Sequence, residues 1–179
     1  MFVQSQKSEE FVRDVLHKRF QIPFNVISTM DQRDGVARGW HVPDIHCPKF
    51  NTHFEVKEDK LCADTGNLAF EAHCMEGMKR WWIANKPRSV LWVYINHKTF
   101  DIDIFDVGIN NDGLYKELEY FCSFHPLCSE RLGGDQMFKL WIVPLVIARK
   151  FKSCITGAMF SNTQLKEIRE RAKSILGSK

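Results

Sequence analysis

The chain has 179 residues, 44% hydrophobic and 26% charged, with 25 Lys and Arg against 22 Asp and Glu for a net charge of +3. That length supports one domain, residues 1–179, with a sizeable core, and the composition excludes a disordered or fibrous chain. The small positive surplus excludes a uniformly basic nucleic-acid binder but leaves room for a local basic patch.

The first seven residues contain no apolar stretch of the kind a secretory signal needs. The longest apolar run, residues 140–148, is about half the length of a membrane-crossing helix, so no membrane partner is expected. Cys47, Cys62, Cys74, Cys122, Cys128 and Cys154 form no CxxC pair. They are read as reduced thiols of a cytoplasmic protein, in the host cytoplasm if it is viral.

In chain order, residues 8–20 have helical spacing, with Ser8 as a cap, acids in the first turn and Lys18-Arg19 in the last. The apolar stripe is Phe11, Val12, Val15 and Leu16; Glu9 falls at its edge and Glu10 nearly opposite it. Residues 24–29 suit a strand. Residues 31–39, with two glycines and several charges, read as a polar connection that orders on substrate binding. Pro43 lacks a backbone donor and biases Val42 to an extended shape, which brings Asp44 out at a strand end before a hairpin over 47–51.

The strand His53-Phe54-Glu55-Val56-Lys57-Glu58 follows. Its period of two turns Phe54 and Val56 to one face and His53, Glu55 and Lys57 to the other. An acid and a base side by side in a central strand cost desolvation unless they pair, bind metal or face a cleft.

Pro43-Asp44 followed by Glu55-Val56-Lys57 resembles the signature of the PD-(D/E)XK nuclease superfamily. The glutamate-bearing first helix and the run Thr65-Gly66-Asn67-Leu68-Ala69-Phe70-Glu71 add to the likeness. Thr65-Gly66-Asn67 is similar to the segment after the catalytic strand in phage-type and Holliday-junction-resolvase-like members. The resemblance covers about residues 6–97 and leaves 98–179 as a C-terminal elaboration.

The resemblance implies an α/β fold with a restriction-endonuclease-like core, a central mixed β-sheet flanked by helices. It implies a Mg²⁺- or Mn²⁺-dependent endonuclease with Asp44, Glu55 and Lys57 as catalytic residues. Asp44, Glu55 and the Val56 carbonyl would hold the metal, with Glu9 and Glu71 as further candidates. Hard oxygen donors suit these ions. DNA is favoured over RNA as substrate, and a homodimer is expected for paired cuts in branched DNA. An endoribonuclease using the same residues stays open, as does a non-catalytic module binding nucleic acid or protein. Glu9 and Glu71 also read as ordinary solvated acids.

Beyond the motif, residues 58–67 are turn-like and 68–74 read as a strand. Residues 76–85 suit a short helix carrying Trp81 and Trp82. Lys79, Arg80, Lys86 and Arg88 around it are candidate nucleic-acid contacts, and a basic rim on a core-anchoring tryptophan pair is the plainer reading. Residues 90–95 form an apolar strand buried on both faces. Residues 99–106 alternate and put Asp101 and Asp103 on one face, a rival divalent-ion site.

Residues 113–121 look helical, and 122–136 look like a loop containing Gly133-Gly134. Residues 137–150 form a long strand with Pro144 at a bulge or edge, and the last helix starts after Ser161 or Asn162. Arg149, Lys150 and Lys152 form a second basic patch. His41, His46, Cys47, His53, Cys62, His73 and Cys74 raise a zinc alternative without paired ligand spacing. No Walker loop, dinucleotide fingerprint or Gly-x-Ser-x-Gly elbow is present.

Overall fold

A computed structural model describes residues 2–27, 29–108, 113–132 and 139–177. Helix α1 (Phe2–Phe20) leads into a short β1 (Asn25–Val26), helix α2 (Thr29–Ala37), β2 (Ile45–Cys47) and β3 (Thr52–Asp59). Then come α3 (Lys60–Thr65), β4 (Asn67–Glu71), α4 (Ala72–Asn85), β5 (Ser89–Asn96) and β6 (Ile102–Asp106). The remainder is α5 (Leu114–Phe124), β7 (Ser129–Leu132), β8 (Lys139–Pro144), α6 (Leu145–Ala148), α7 (Thr156–Met159) and α8 (Asn162–Leu176).

Five strands form a mixed central sheet in the order β1-β2-β3-β5-β6, and three form a second sheet in the order β4-β8-β7. β2 and β3 are an antiparallel hairpin in which Ile45 pairs with Phe54 and Cys47 with Thr52. Asn51, at φ 48°, turns the chain between them. β3 and β5 run parallel over their full length, from Thr52 opposite Ser89 to Asp59 opposite Asn96. A parallel pair requires a long crossover, and here α3, β4 and α4 supply it.

β5 is buried from Val90 to Asn96 because both faces of the central sheet are covered. Val90, Trp92 and Tyr94 face one core with α4, α5 and the second sheet. Leu91, Val93 and Ile95 face the other, with the stripe Phe11, Val12, Val15 and Leu16 of α1 and with Ile168, Ala172 and Leu176 of α8. Each fully buried aliphatic or aromatic side chain of such a strand contributes about 1.5–3 kcal/mol. The flanked mixed sheet agrees with the expected α/β class. Among the described residues no helix is long and apolar enough to cross a membrane.

Several local expectations are corrected. Residues 31–39 are not an irregular connection: most of them lie in α2, and the turn that closes it carries Gly39 at φ 70°. Gly39 N–H donates to Val36 O and Trp40 N–H to Gly35 O, a Schellman closure that only a left-handed residue completes without strain. A Cβ on Gly35 would run into Val42 Cγ2, so glycine is what lets α2 approach that strand lead. Residues 58–67 contain α3 rather than turns alone, and α4 begins at Ala72, so the strand read over 68–74 stops at Glu71.

The loop read over 122–136 contains the end of α5 and the strand β7, with Gly133-Gly134 outside the described residues. Pro144 ends β8, and the chain turns into α6, so 137–150 is not one strand. Ser8 does not cap α1, which begins earlier; its hydroxyl donates to Glu58 Oε2 at 2.6 Å and ties α1 to β3. Ser161 does cap α8, in a reciprocal capping box with Gln164.

Candidate active site

The hairpin register decides which acids meet. Pro43 and Asp44 precede β2, and Asp44 reaches across the hairpin to accept the Val56 N–H on Oδ2 at 2.7 Å. Its other oxygen accepts from Gln32 Nε2 of α2 at 2.9 Å. Glu55, on the neighbouring face of β3, is only 1% exposed. Its Oε1 is met by Lys57 Nζ at 2.8 Å and His41 Nε2 at 2.7 Å. Its Oε2 is buried and has no hydrogen-bond partner among the described residues.

These groups open on one cavity of about 720 Å³. Glu9 and Glu10 of α1, Gln32 and Val36 of α2, and His41, Val42, Asp44, Glu55, Val56 and Lys57 line it. Asp44, Glu55 and Lys57, expected together from the sequence, are therefore brought together, and Glu9 joins them. Glu71 does not: its strand β4 belongs to the second sheet, and its Oε2 accepts from Cys74 Sγ at 2.9 Å.

Electrostatics sort the carboxyls into two kinds. Burial alone would raise Glu55, but the charges of His41 and Lys57 and their hydrogen bonds hold it down at about 2, so it is ionised. Burial opposes protonation of Lys57, and the adjacent Glu55 carboxylate overrides it, so Lys57 titrates above the ordinary lysine range. His41 is held protonated in the same way, up to about 10. Asp44 is pushed well above its ordinary value by burial and then by repulsion from Glu55, against the Val56 N–H. Glu9 is pushed up to about 7 by burial, then by Glu55 and Glu10. Two acids that resist ionisation beside a third with an unpartnered oxygen are short of positive charge.

Tested against a hard divalent ion, this donor set fits by chemistry. Asp44, Glu55 and Glu9 are oxygen donors facing one cavity, and Glu55 Oε2 is an orphaned buried acceptor. Among the described residues no three His, Cys, Asp or Glu side chains already converge as a ligand cage. Mg²⁺ commonly binds through one or two carboxylates and keeps several waters, so a full protein cage is not required.

The rival sites dissolve into internal partnerships. Asp103, 5% exposed, receives two hydrogen bonds from Arg149, at 2.8 and 2.9 Å. Asp101 is paired with Arg169 at 2.6 Å. The two acids are thus paired with Arg149 and Arg169, which occupies them as a rival metal site and ties Arg149, 43% exposed, to β6. Among the zinc candidates, Cys47 and Cys62 lie in opposite cores, and His46 stacks on His53 at 4.1 Å. His53 in turn meets the edge of Trp81 at 4.7 Å, and burial and His46 lower its pKa to about 3. The His73 side chain lies outside the described residues.

Of the basic candidates, Arg80 donates from Nε to Gly39 O at 2.8 Å, in the turn that leads into His41 and Val42 of the cavity lining. Lys79, Lys86, Arg88, Lys150 and Lys152 are exposed and none lines the cavity. His41 is the residue that the sequence reading undervalued. It entered only among the zinc candidates, although its place two residues before Pro43-Asp44 put it beside the motif. Comparisons with family models, with curated proteins and with solved structures find no match.

Proposed function

We propose that the chain is a metal-dependent nuclease that hydrolyses phosphodiester bonds, with DNA as the favoured substrate and a restriction-endonuclease-like core. The observation that carries this reading is the convergence of Asp44, Glu55 and Lys57 on one cavity, with Glu55 Oε2 unpartnered. The hairpin that carries Asp44 and Glu55, followed by a crossover to a parallel strand, supports the fold assignment.

A Mg²⁺ or Mn²⁺ ion held by Asp44, Glu55 and the Val56 carbonyl would supply an acidified water and neutralise phosphate oxygens. The remaining work falls to the chain. Val56 N–H and Gln32 fix the Asp44 carboxylate from two sides. His41 and Lys57 take one oxygen of Glu55 and leave the other without a partner among the described residues. Lys57, held protonated, stabilises negative charge that develops at the phosphorus. Glu9 is placed to receive a proton or to hold a further water.

The test is cleavage of labelled single-stranded, duplex and four-way-junction DNA and matched RNA in Mg²⁺, Mn²⁺ or EDTA. Wild type should cut in a metal-dependent way, and Glu55→Ala and Lys57→Ala should not, with circular dichroism showing an intact fold. Normal cutting by folded Lys57→Ala would overturn the assigned chemistry. No cutting by wild type, with no Mn²⁺ binding by calorimetry, would leave a binding module.

A further inference from the structure

The walls and mouth of this cavity carry information about the form of the substrate. Glu55 is 1% exposed in a cavity whose lining includes Glu9 and Glu10 of α1 and Gln32 and Val36 of α2. A phosphodiester in a duplex is held on the outside of a stiff rod, and its base faces are closed by stacking. To touch Asp44 and Glu55 it would have to enter a cavity lined by residues of both α1 and α2, one of which, Gln32, is bonded to Asp44. An unpaired strand is flexible and can pass one nucleotide at a time into it.

Directly outside the cavity is a surface of the kind that unpaired bases use. The Schellman closure of α2 sets Arg38, Gly39 and Trp40 in a fixed turn, and the next two residues, His41 and Val42, are cavity wall. The Arg38 guanidinium lies 5.2 Å from the centroid of the Trp40 ring. Trp40 is anchored on the core, whereas Arg38 is exposed. Arg80 is bonded to the carbonyl of the residue between them at 2.8 Å, which adds a second guanidinium to the same turn. Val36, exposed and lining the cavity, adds an apolar edge to the mouth.

We infer that the substrate is a single strand, and that the base beside the scissile phosphate stacks on the Arg38–Trp40 layer while Arg80 meets the next phosphate. This rests on the nuclease reading above. Bases stack on aromatic rings and on arginine planes with little regard to sequence, and loss of one such platform commonly costs about tenfold or more in affinity. The shared chemistry is an unpaired base on a phosphodiester chain, in DNA or in RNA.

The experiment is fluorescence anisotropy with labelled oligonucleotides of equal length in Ca²⁺, using single-stranded DNA, single-stranded RNA and duplex DNA. The protein is wild type, Arg38→Ala or Trp40→Leu, with thermal melts as the fold control and Mn²⁺ calorimetry as the control for the metal site. A single strand should bind at least about tenfold tighter than duplex, and Arg38→Ala should weaken it about tenfold with Mn²⁺ binding unchanged. The DNA and RNA arms identify the sugar. Trp40→Leu should act in the same direction if it folds, and Arg38→Ala carries the test if it does not.

Duplex binding as tight as single-strand binding, no binding of any oligonucleotide, or indifference to Arg38→Ala would overturn the inference. Metal-dependent cleavage of duplex by an indifferent Arg38→Ala would do so while sparing the nuclease reading. Single-strand binding that depends on Arg38, in a protein that neither binds Mn²⁺ nor cuts, would sink the nuclease reading and keep the platform.

Discussion

His41 Nε2 stands 2.7 Å from Glu55 Oε1, on the same oxygen that Lys57 holds, and the His41 backbone lies so close to α4 that a Cβ on Gly77 would meet His41 Cβ at 2.8 Å and His41 N at 3.0 Å. In the proposed nuclease, His41 would be a positioning residue that aims the other oxygen of Glu55. Outer partners of a metal-holding carboxylate are commonly worth about 10–100-fold in metal affinity or activity. His41→Ala is expected to weaken Mn²⁺ binding and cleavage by about that factor. His41→Gln, which keeps a donor of similar size, should recover part of it; equal loss in both would show that a neutral donor there does not aim Glu55.

The acids predict how the protein responds to pH without metal. Glu9 has a folded pKa of about 7 against an ordinary 4.5, so the folded chain keeps a proton there that the unfolded chain releases. A raised carboxyl contributes no penalty below the unfolded value and a growing one as pH climbs to the folded value. Stability of the metal-free protein should therefore fall between pH 4.5 and about 7, by about 1–2 kcal/mol after solvent screening. Glu9→Gln should flatten that slope in thermal melts. Divalent-ion binding should release protons in the same window, read as a buffer-dependent heat in calorimetry.

Arg149 offers a case where stability and nucleic-acid binding separate. It makes two hydrogen bonds to buried Asp103 and lies 3.8 Å from Asp101. Arg149→Ala leaves Asp103 without its cation, at a cost of about 2–3 kcal/mol given the partial exposure of the arginine. Urea unfolding should show that loss, while oligonucleotide affinity at a temperature where the variant is folded stays within about twofold of wild type.

Gly35 tests whether α2 is a working wall of the cavity. Alanine there forces α2 away from Val42, an overpacking cost of about 1–3 kcal/mol. Because Gln32 rides on the same helix, Gly35→Ala should also loosen Asp44 and weaken Mn²⁺ binding. Gln32→Ala should reproduce the change in Mn²⁺ binding without the loss of stability. Unchanged metal affinity in both would separate α2 from the acids.

What the sequence disclosed follows from how local each signal is. The strand carrying Glu55 and Lys57 was legible because alternation over 53–58 is set by its own residues, and Asp44 because Pro43 restricts the chain beside it. The apolar run at 90–95 announced a strand covered on both faces for the same reason. α2 was hidden, since Gly35 and Gly39 read as breakers when one is a packing contact with Val42 and the other a helix terminus. The placement of Glu71 is not legible locally because β4 pairs with β8, a partner more than sixty residues away that no local pattern names. The ion pairs of Asp101 and Asp103 were invisible in the same way: their arginines lie on later segments, at 149 and 169.

β4 lies inside the crossover that joins β3 to β5, yet its strand partner is β8, with Phe70 opposite Trp141 and Leu68 opposite Val143. Tyr94 of β5 donates its hydroxyl to Ala69 O and links the two sheets. The crossover is thus clamped by residues that leave the ribosome long after Asp44, Glu55 and Lys57. A nascent chain that has emerged only as far as Asn96 has every group of the cavity but an unpaired β4 edge beneath it. The native cavity should therefore form late in synthesis, once residues 139–144 are out, so that a segment supplying none of the acids sets the moment at which they come together.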